Sequence, residues 1–434
     1  MTVLNPMARQ RIHNHDPFSG KVHLSVPPIA SEPADGPVTI LAYVDRYPPF
    51  VNAGAESYLA SVLRDSVARG HRAIVATGCV TEPQVVDGVE VIPAAHYAQV
   101  IERVDVMVTH LQWTNEAIRV ATSADLPLIY LVHNDSQIRY WRLFDRKVSA
   151  FVWNSEWVGA KCSGWPEAAN VPSTVIRPVL VADDFAVTDP APSDREFVTL
   201  VNPIEAKGSA VFYALAEAFP ERRFLAVEGA YGSQVRPKAR HTNVEWQRQT
   251  GTFRDDVLAR TRVLLIGSSY ESWGLAAVEA CAAGIPVIAT PTPGLIEALG
   301  ADWPYFAGFG DTAAWAEVLR RLDNPVAYKA ASAGALLRAA ELDRVGQLDL
   351  ARWDRLVRMG ARTTQERRDP APAPAPGALP GTARDVAEWI EAGPTPEDRQ
   401  ARADRAWTAE TSRKGGVRKT VADAVVSHST TYTP

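Results

Sequence analysis

The chain has 434 residues, too many for one ordinary core and enough for two globular units with a cleft between them. Hydrophobic residues make up 46% and charged residues 22%, which excludes a disordered, fibrous or membrane-embedded chain. The net charge of −5 lacks the basic excess of a nucleic-acid binder, and Cys79, Cys162 and Cys281 are too widely spaced for a disulfide framework or a zinc site.

Residues 1–37 read as a polar N-terminal extension, with Arg9, Arg11, His13, His15 and Asp16 where a signal peptide needs an apolar stretch. No run approaches the roughly twenty apolar residues of a membrane span. The expected compartment is the cytoplasm, with peripheral membrane contact left open. The first domain is expected over 38–180. Val38 to Val44 is a short apolar strand stopped by Asp45, Arg46 and Pro48-Pro49. Ala53-Gly54-Ala55-Glu56 then leads into Tyr58, Leu59, Val62, Leu63 and Val67 at helical spacing, closed by Gly70. Ala73–Thr77, Val89–Ile92, Val104–Thr109 and Leu126–Val132 repeat the strand pattern with helical stretches between. This alternation predicts a doubly wound parallel sheet.

Pro178 to Asp194 reads as a linker. A second Rossmann-like domain is expected over 195–360, with strands at Phe197–Val201, Phe224–Val227, Val263–Ile266 and Pro286–Ala289, and helices at Ala210–Ala218 and Leu275–Ala283. Beyond Trp315 the chain is helical to Leu356. Residues 361–380 read as a Pro/Ala-rich linker containing DPAPAPAPGALP, and 381–434 as a small helical or disordered tail module carrying Trp389 and Trp407. The fold class is therefore α/β, with two doubly wound domains facing a cleft and a flexible C-terminal extension.

The chemistry concentrates in Glu271-Ser272-Trp273-Gly274-Leu275-Ala-Ala-Val-Glu279, after the strand Val263–Ile266. If Gly274 opens the helix, the free N–H groups there form an anion site suited to a diphosphate. Glu279 then lies one turn further in, placed to accept from ribose hydroxyls, and Glu271 reaches the sugar. Ala280 to Ala289 supply a closely packed helix end, a glycine cap at Gly284 and a buried strand. An isolated pair of glutamates at this spacing is ordinarily two surface charges, and this setting is what lifts it above that reading.

This segment resembles the family 4 retaining glycosyltransferases, marked by a Glu-x7-Glu element, here ESWGLAAVE followed by ACAAGIPVIAT. The resemblance covers about 38–356 and implies a GT-B fold in which Glu271 contacts the transferred sugar and Glu279 the ribose. It implies that Lys207, followed by Gly208, neutralises the donor diphosphate. The family commonly has an arginine five residues before that lysine; here the position is Asn202, kept in the donor-binding set, so diphosphate binding is weaker or relies on Arg254 or another residue. Gly54 matches the glycine loop facing donor and acceptor, and His133 the histidine next to the sugar. A tight turn at Gly54 and a structural histidine at the strand end are the plain alternatives. His110 reads as structural, and Asn154-Ser155 matches a family Asn-Ser element or serves as a helix N-cap.

The implied reaction moves a sugar from a nucleotide-sugar co-substrate to an acceptor hydroxyl with retention and without a metal; the acceptor is an unknown glycan, lipid-linked or protein group. An epimerase of the same architecture, or a non-catalytic sugar-nucleotide-binding scaffold, are the rival readings.

Overall fold

A computed structural model of the chain describes residues 26–51, 53–136, 148–166 and 168–368. The tail module 381–434 and the spacer from Asp369 lie outside these residues.

Each short apolar run forms a strand at or within a few residues of its expected place. The first domain holds β1 (Thr39–Val44), β2 (Arg72–Thr77), β3 (Gln84–Val86), β4 (Val89–Pro93), β5 (Val106–Thr109), β6 (Leu128–Val132), β7 (Ala150–Trp153) and β8 (Ser173–Val175). Their spatial order is β3-β4-β2-β1-β5-β6-β7-β8, parallel except for the β3–β4 hairpin. Helices α1 (Gly54–Ala68), α2 (Thr114–Ser123) and α3 (Glu156–Cys162) cross between strands. In α1, Tyr58, Leu59, Val62, Leu63 and Ser66 turn one stripe to the sheet. The helix ends ahead of Gly70, whose φ of 87° is the left-handed conformation a helix exit favours.

The connection 178–194 carries a short helix, α4 (Ala182–Phe185). The second sheet contains β9 (Phe197–Val201), β10 (Arg223–Val227), β11 (Val244–Gln247), β12 (Thr261–Ile266) and β13 (Val287–Ala289). All its pairs are parallel, in the order β11-β10-β9-β12-β13. Around it lie α5 (Ser209–Ala218), α6 (Phe253–Asp256), α7 (Leu275–Ala282), α8 (Pro293–Leu299) and α9 (Thr312–Arg321), followed by the 44-residue α10 (Pro325–Arg368).

Three boundaries differ from the sequence reading. Residues 26–37, expected as extension, pack on the first domain: Val26, Ile29 and Ala34 are buried, and Ala34 N–H donates to the carbonyl oxygen of Arg358 at 3.0 Å. Residues 361–368, expected in the Pro/Ala linker, continue α10, because no proline occurs before Pro370. And α10 crosses back to the first domain before residue 360, the crossing that related architectures make with their last helix and that the sequence left open. Tyr328, Ala335 and Leu342 join the second core, whereas Leu350, Trp353, Leu356, Val357 and Met359 join the first. A helix of this length spans about 66 Å at about 1.5 Å per residue, enough to bridge two domains.

Arg177 sits at the same junction. It donates to Asp349 of α10 at 3.2 Å, to Glu297 of α8 at 3.1 Å and to Glu156 of α3 at 3.2 Å. Glu297 also accepts the N–H groups of Glu156 and Trp157, at 2.9 and 3.0 Å. Burial pushes the Glu297 carboxyl upward and Arg177 opposes the shift.

Candidate active site

The site lies where the carboxyl ends of both sheets face each other, the usual ligand position in doubly wound folds. On the second domain, the loops after β9 and β12 are pressed together. Gly208 has φ 84°, and a Cβ there would stand 2.6 Å from the carbonyl oxygen of Gly267. Ser269 N–H donates to the carbonyl oxygen of Ala206 at 2.9 Å, locking the two loops. This approach brings Lys207 onto Glu271: Nζ donates to Oε1, and Ser268 Oγ donates to the same oxygen at 2.8 Å. Burial works against the lysine charge, but Glu271 and Tyr231 hold its pKa above the usual value.

Gly274 is the N-cap of α7, with φ 103°; a Cβ there would lie 2.5 Å from Leu295 Cδ2. Gly274 and Leu275 therefore present the start of α7 beside the Lys207–Glu271 pair. The carboxyl group of Glu279, one turn in, has no hydrogen-bond partner among the described residues, and burial pushes it up to about 8. The loop before α8 closes tightly here, since a Cβ on Gly294 would stand 2.3 Å from the carbonyl oxygen of Glu271. Trp273, expected to bind donor, turns its side chain into the second core, 3% exposed, so only its backbone faces the loop.

Asn202 also points inward. Its φ is 57°, Gln234 Nε2 donates to its Oδ1 at 2.6 Å, and its Nδ2 is enclosed without a partner. Gln234 Oε1 in turn accepts from Gly229 N–H at 3.2 Å. Asn202 thus braces the loop after β10, and the lack of a Cβ on Gly229 makes room for its side chain. Arg254 lies on the surface in an ion pair with Asp255 at 2.7 Å.

From the first domain, Gly54 begins α1 with open space around its Cα. His133 follows β6 and His110 follows β5; His110 Nδ1 and His133 Nε2 are 2.8 Å apart. Burial lowers both, His110 to about 3 and His133 well below the usual histidine value. His110, read from sequence as structural, is therefore the neighbour that orients His133. Ser155 caps α3 by accepting from Val158 N–H at 3.2 Å. Asn154 reaches across the cleft: its Nδ2 donates to Ser272 Oγ at 2.9 Å and to the carbonyl oxygen of His133 at 3.1 Å. Tyr270 donates to Asp135 Oδ1 at 3.1 Å, a second bridge between the domains. Sequence reasoning missed the contacts of Ser268, Tyr231, Tyr270 and Asp135; the last three find partners far away along the chain, whereas Ser268 meets Glu271 three residues on.

Two parallel-sheet domains meeting at the carboxyl ends of their strands have the fold of solved glycosyltransferases. This is the GT-B fold. The sucrose-phosphate synthase of Thermosynechococcus elongatus aligns with a TM-score of 0.58 at 15% identity, covering 71% of this chain and 98% of that one. HepE of Anabaena, solved in complex with UDP-glucose, aligns at 0.54 and 16% identity, covering 76% and 100%. The trehalose 6-phosphate synthase of Burkholderia multivorans aligns at 0.52 and 10% identity, covering 79% and 100%. Identities this low establish the fold. Residues 240–324, from β11 to the end of α9 and containing Glu271 and Glu279, match the family model described as glycosyl transferases group 1. No curated protein matches the sequence. Among the described residues of this GT-B chain, no helix is long and apolar enough to cross a membrane, and no group of three His, Cys, Asp or Glu side chains is placed to hold a metal ion.

Proposed function

We propose that this chain is a retaining, metal-independent glycosyltransferase that moves a hexosyl unit from a nucleotide-sugar to an acceptor hydroxyl. The observation that carries the reading is the convergence of Lys207, Glu271 and the N-terminus of α7, with the unpartnered Glu279 one turn further in.

Lys207 and the amides of Gly274 and Leu275 receive the donor diphosphate and stabilise the charge that grows on it as the sugar–phosphate bond breaks. Glu279 accepts from the ribose hydroxyls. Glu271, Ser272 and His133 surround the sugar, Gly54 and Gly208 let backbone approach it, and Asn202 acts through the loop it braces. The acceptor oxygen bonds to the anomeric carbon on the face the diphosphate leaves, and the acceptor proton passes to that leaving diphosphate, so the configuration is kept. Closure of the domains over these groups keeps water from the donor. The match to group 1 glycosyltransferases over 240–324 and the likeness to a UDP-glucose complex support the donor class. Three free cysteines support a reducing, cytoplasmic setting.

The test is a panel of UDP-, GDP-, ADP- and dTDP-sugars scored for thermal stabilisation and slow hydrolysis, with the wild type and Glu279→Ala side by side. One donor is expected to stabilise and be hydrolysed by the wild type only. If a donor binds but is not hydrolysed, the non-catalytic sugar-nucleotide-binding scaffold takes the proposal's place; if none binds, the proposal fails.

A further inference from the structure

The loop after β10 is pinned onto the loop that carries Lys207. Gln234 Nε2 donates to the carbonyl oxygen of Tyr231 at 2.8 Å and to Asn202 Oδ1 at 2.6 Å, so one amide ties the two loops together. Val235 N–H donates to the carbonyl oxygen of Pro203 at 2.7 Å. Gly232 takes φ 80°, and a Cβ there would stand 3.1 Å from the side chain of Ile204, whose carbonyl oxygen accepts from Lys207 N–H at 3.0 Å. The backbone of Tyr231 is thus fixed on both sides. Its side chain is 52% exposed, and its hydroxyl faces the Lys207 ammonium. Ala230, the residue before it, lines the space between the domains opposite Asp45 and Arg46.

The inventory of donors and acceptors then gives the hydroxyl a direction. An ammonium carries three N–H groups and no lone pair. Lys207 directs one N–H to Glu271 Oε1 and one to the Tyr231 oxygen, which leaves one for a ligand. A phenol oxygen that accepts from an ammonium keeps its own proton to donate, and among the described residues no hydrogen bond takes it. Asn202 does not supply such a contact, because its Oδ1 is held by Gln234 and its Nδ2 is enclosed.

We propose that Tyr231 is a further donor-binding residue, its hydroxyl donating to the phosphate that carries the sugar while its oxygen accepts from Lys207. The assignment rests on the glycosyltransferase reading above. Lys207 also holds Glu271, the carboxylate that this reading places at the sugar, so the phosphate they share is the sugar-bearing one and not the one next to the ribose. A hydrogen bond to that phosphate strengthens as negative charge collects there during bond breaking.

Full-length wild type and Tyr231→Phe are titrated calorimetrically with UDP, GDP, ADP and dTDP and with the corresponding monophosphates, and hydrolysis is followed with the nucleotide-sugar that stabilises the wild type. The variant loses one oxygen from a half-exposed ring, so its melting temperature is expected to equal that of the wild type. Its Kd for the preferred diphosphate is expected to rise about tenfold, the scale of one lost hydrogen bond to a charged group, with the monophosphate Kd unchanged within about twofold and kcat for hydrolysis lowered. Equal diphosphate affinity in the two proteins overturns the assignment alone. An equal loss for mono- and diphosphate does the same, because it marks a distorted loop. A wild type that binds none of the four diphosphates counts against the glycosyltransferase reading, and the assignment falls with it.

Discussion

Asn154 in the first domain and Ser272 in the second are joined by a 2.9 Å hydrogen bond across the cleft, and the same Asn154 amide also holds the carbonyl oxygen of His133. Together with the Tyr270–Asp135 bond, this side chain sets the distance between the histidine loop and the loop carrying Glu271. Asn154→Ala is expected to lower kcat/KM by about tenfold to a hundredfold, the scale of a small misplacement of catalytic groups. Its melting temperature should move by only a few degrees. Steady-state kinetics beside a thermal scan make the check, and full activity in the variant would break the argument.

The Lys207–Glu271 pair is half-buried and supported by Ser268. Removing a single positioned donor to a developing charge costs about a hundredfold to a thousandfold in rate. Lys207→Ala should lower kcat on that scale, and Lys207→Arg should recover part of it because the charge is retained in a bulkier group. Donor hydrolysis measured for the three proteins decides the point; equal rates for the alanine and arginine variants refute a charge-based role.

Glu279 carries a pH signature. Burial raises its carboxyl to about 8, so between the ordinary carboxylate value and 8 the folded chain holds a proton that the unfolded chain has released. Its contribution to stability therefore declines as pH rises through that window. Glu279→Gln removes the dependence, and its melting temperature relative to the wild type should be higher at about pH 9 than at about pH 5. Ribose hydroxyls favour the ionised form, so saturating donor should stabilise the wild type more than the variant, most clearly at the upper end.

His110 and His133 titrate with the opposite sign. Their folded values lie below the usual one, so as pH falls below about 6.5 the unfolded chain gains protons that the folded chain refuses. Stability from this pair is intact at neutral pH and lost on acidification. His110→Asn should flatten the melting temperature against pH between about 7 and 5 and, by freeing the His133 ring, reduce the transfer rate. An unchanged slope would falsify the buried neutral pair.

Gly294 has no room for a side chain beside the carbonyl oxygen of Glu271. Gly294→Ala must displace the Glu271 loop, with an expected loss of about 1–3 kcal/mol of stability from overpacking. Donor KM should rise with it, whereas Gly54→Ala, in open space, should be thermally silent. Denaturant unfolding of the two variants distinguishes steric from conformational loss.

Much of this protein was legible along the chain because the relevant physics is local. β1 and β9 are short β-branched runs closed by polar or proline stops, Gly70 takes the positive φ that a helix exit favours, and Glu271 and Glu279 bracket the helix start that separates them. The place of Trp273 in the motif does not say which way its ring turns; packing against the second core decides that. The hydrogen bond of Asn202 to Gln234 becomes visible only when β9 and β10 lie side by side.

What the amino-acid order alone determined was the sequence of strands and helices, and with it two doubly wound sheets and the residues at the ends of their strands. Only the tertiary structure decided which of those residues meet: Lys207 with Glu271, His110 with His133, Asn154 with Ser272, and Arg177 with Asp349. The same holds for α10, whose apolar positions show that it is buried but not that its first half serves one core and its second half the other. Backbone conformation responds to near neighbours in the chain, whereas a buried charge or a helix face finds its partner through the packing of whole domains, which no local pattern encodes.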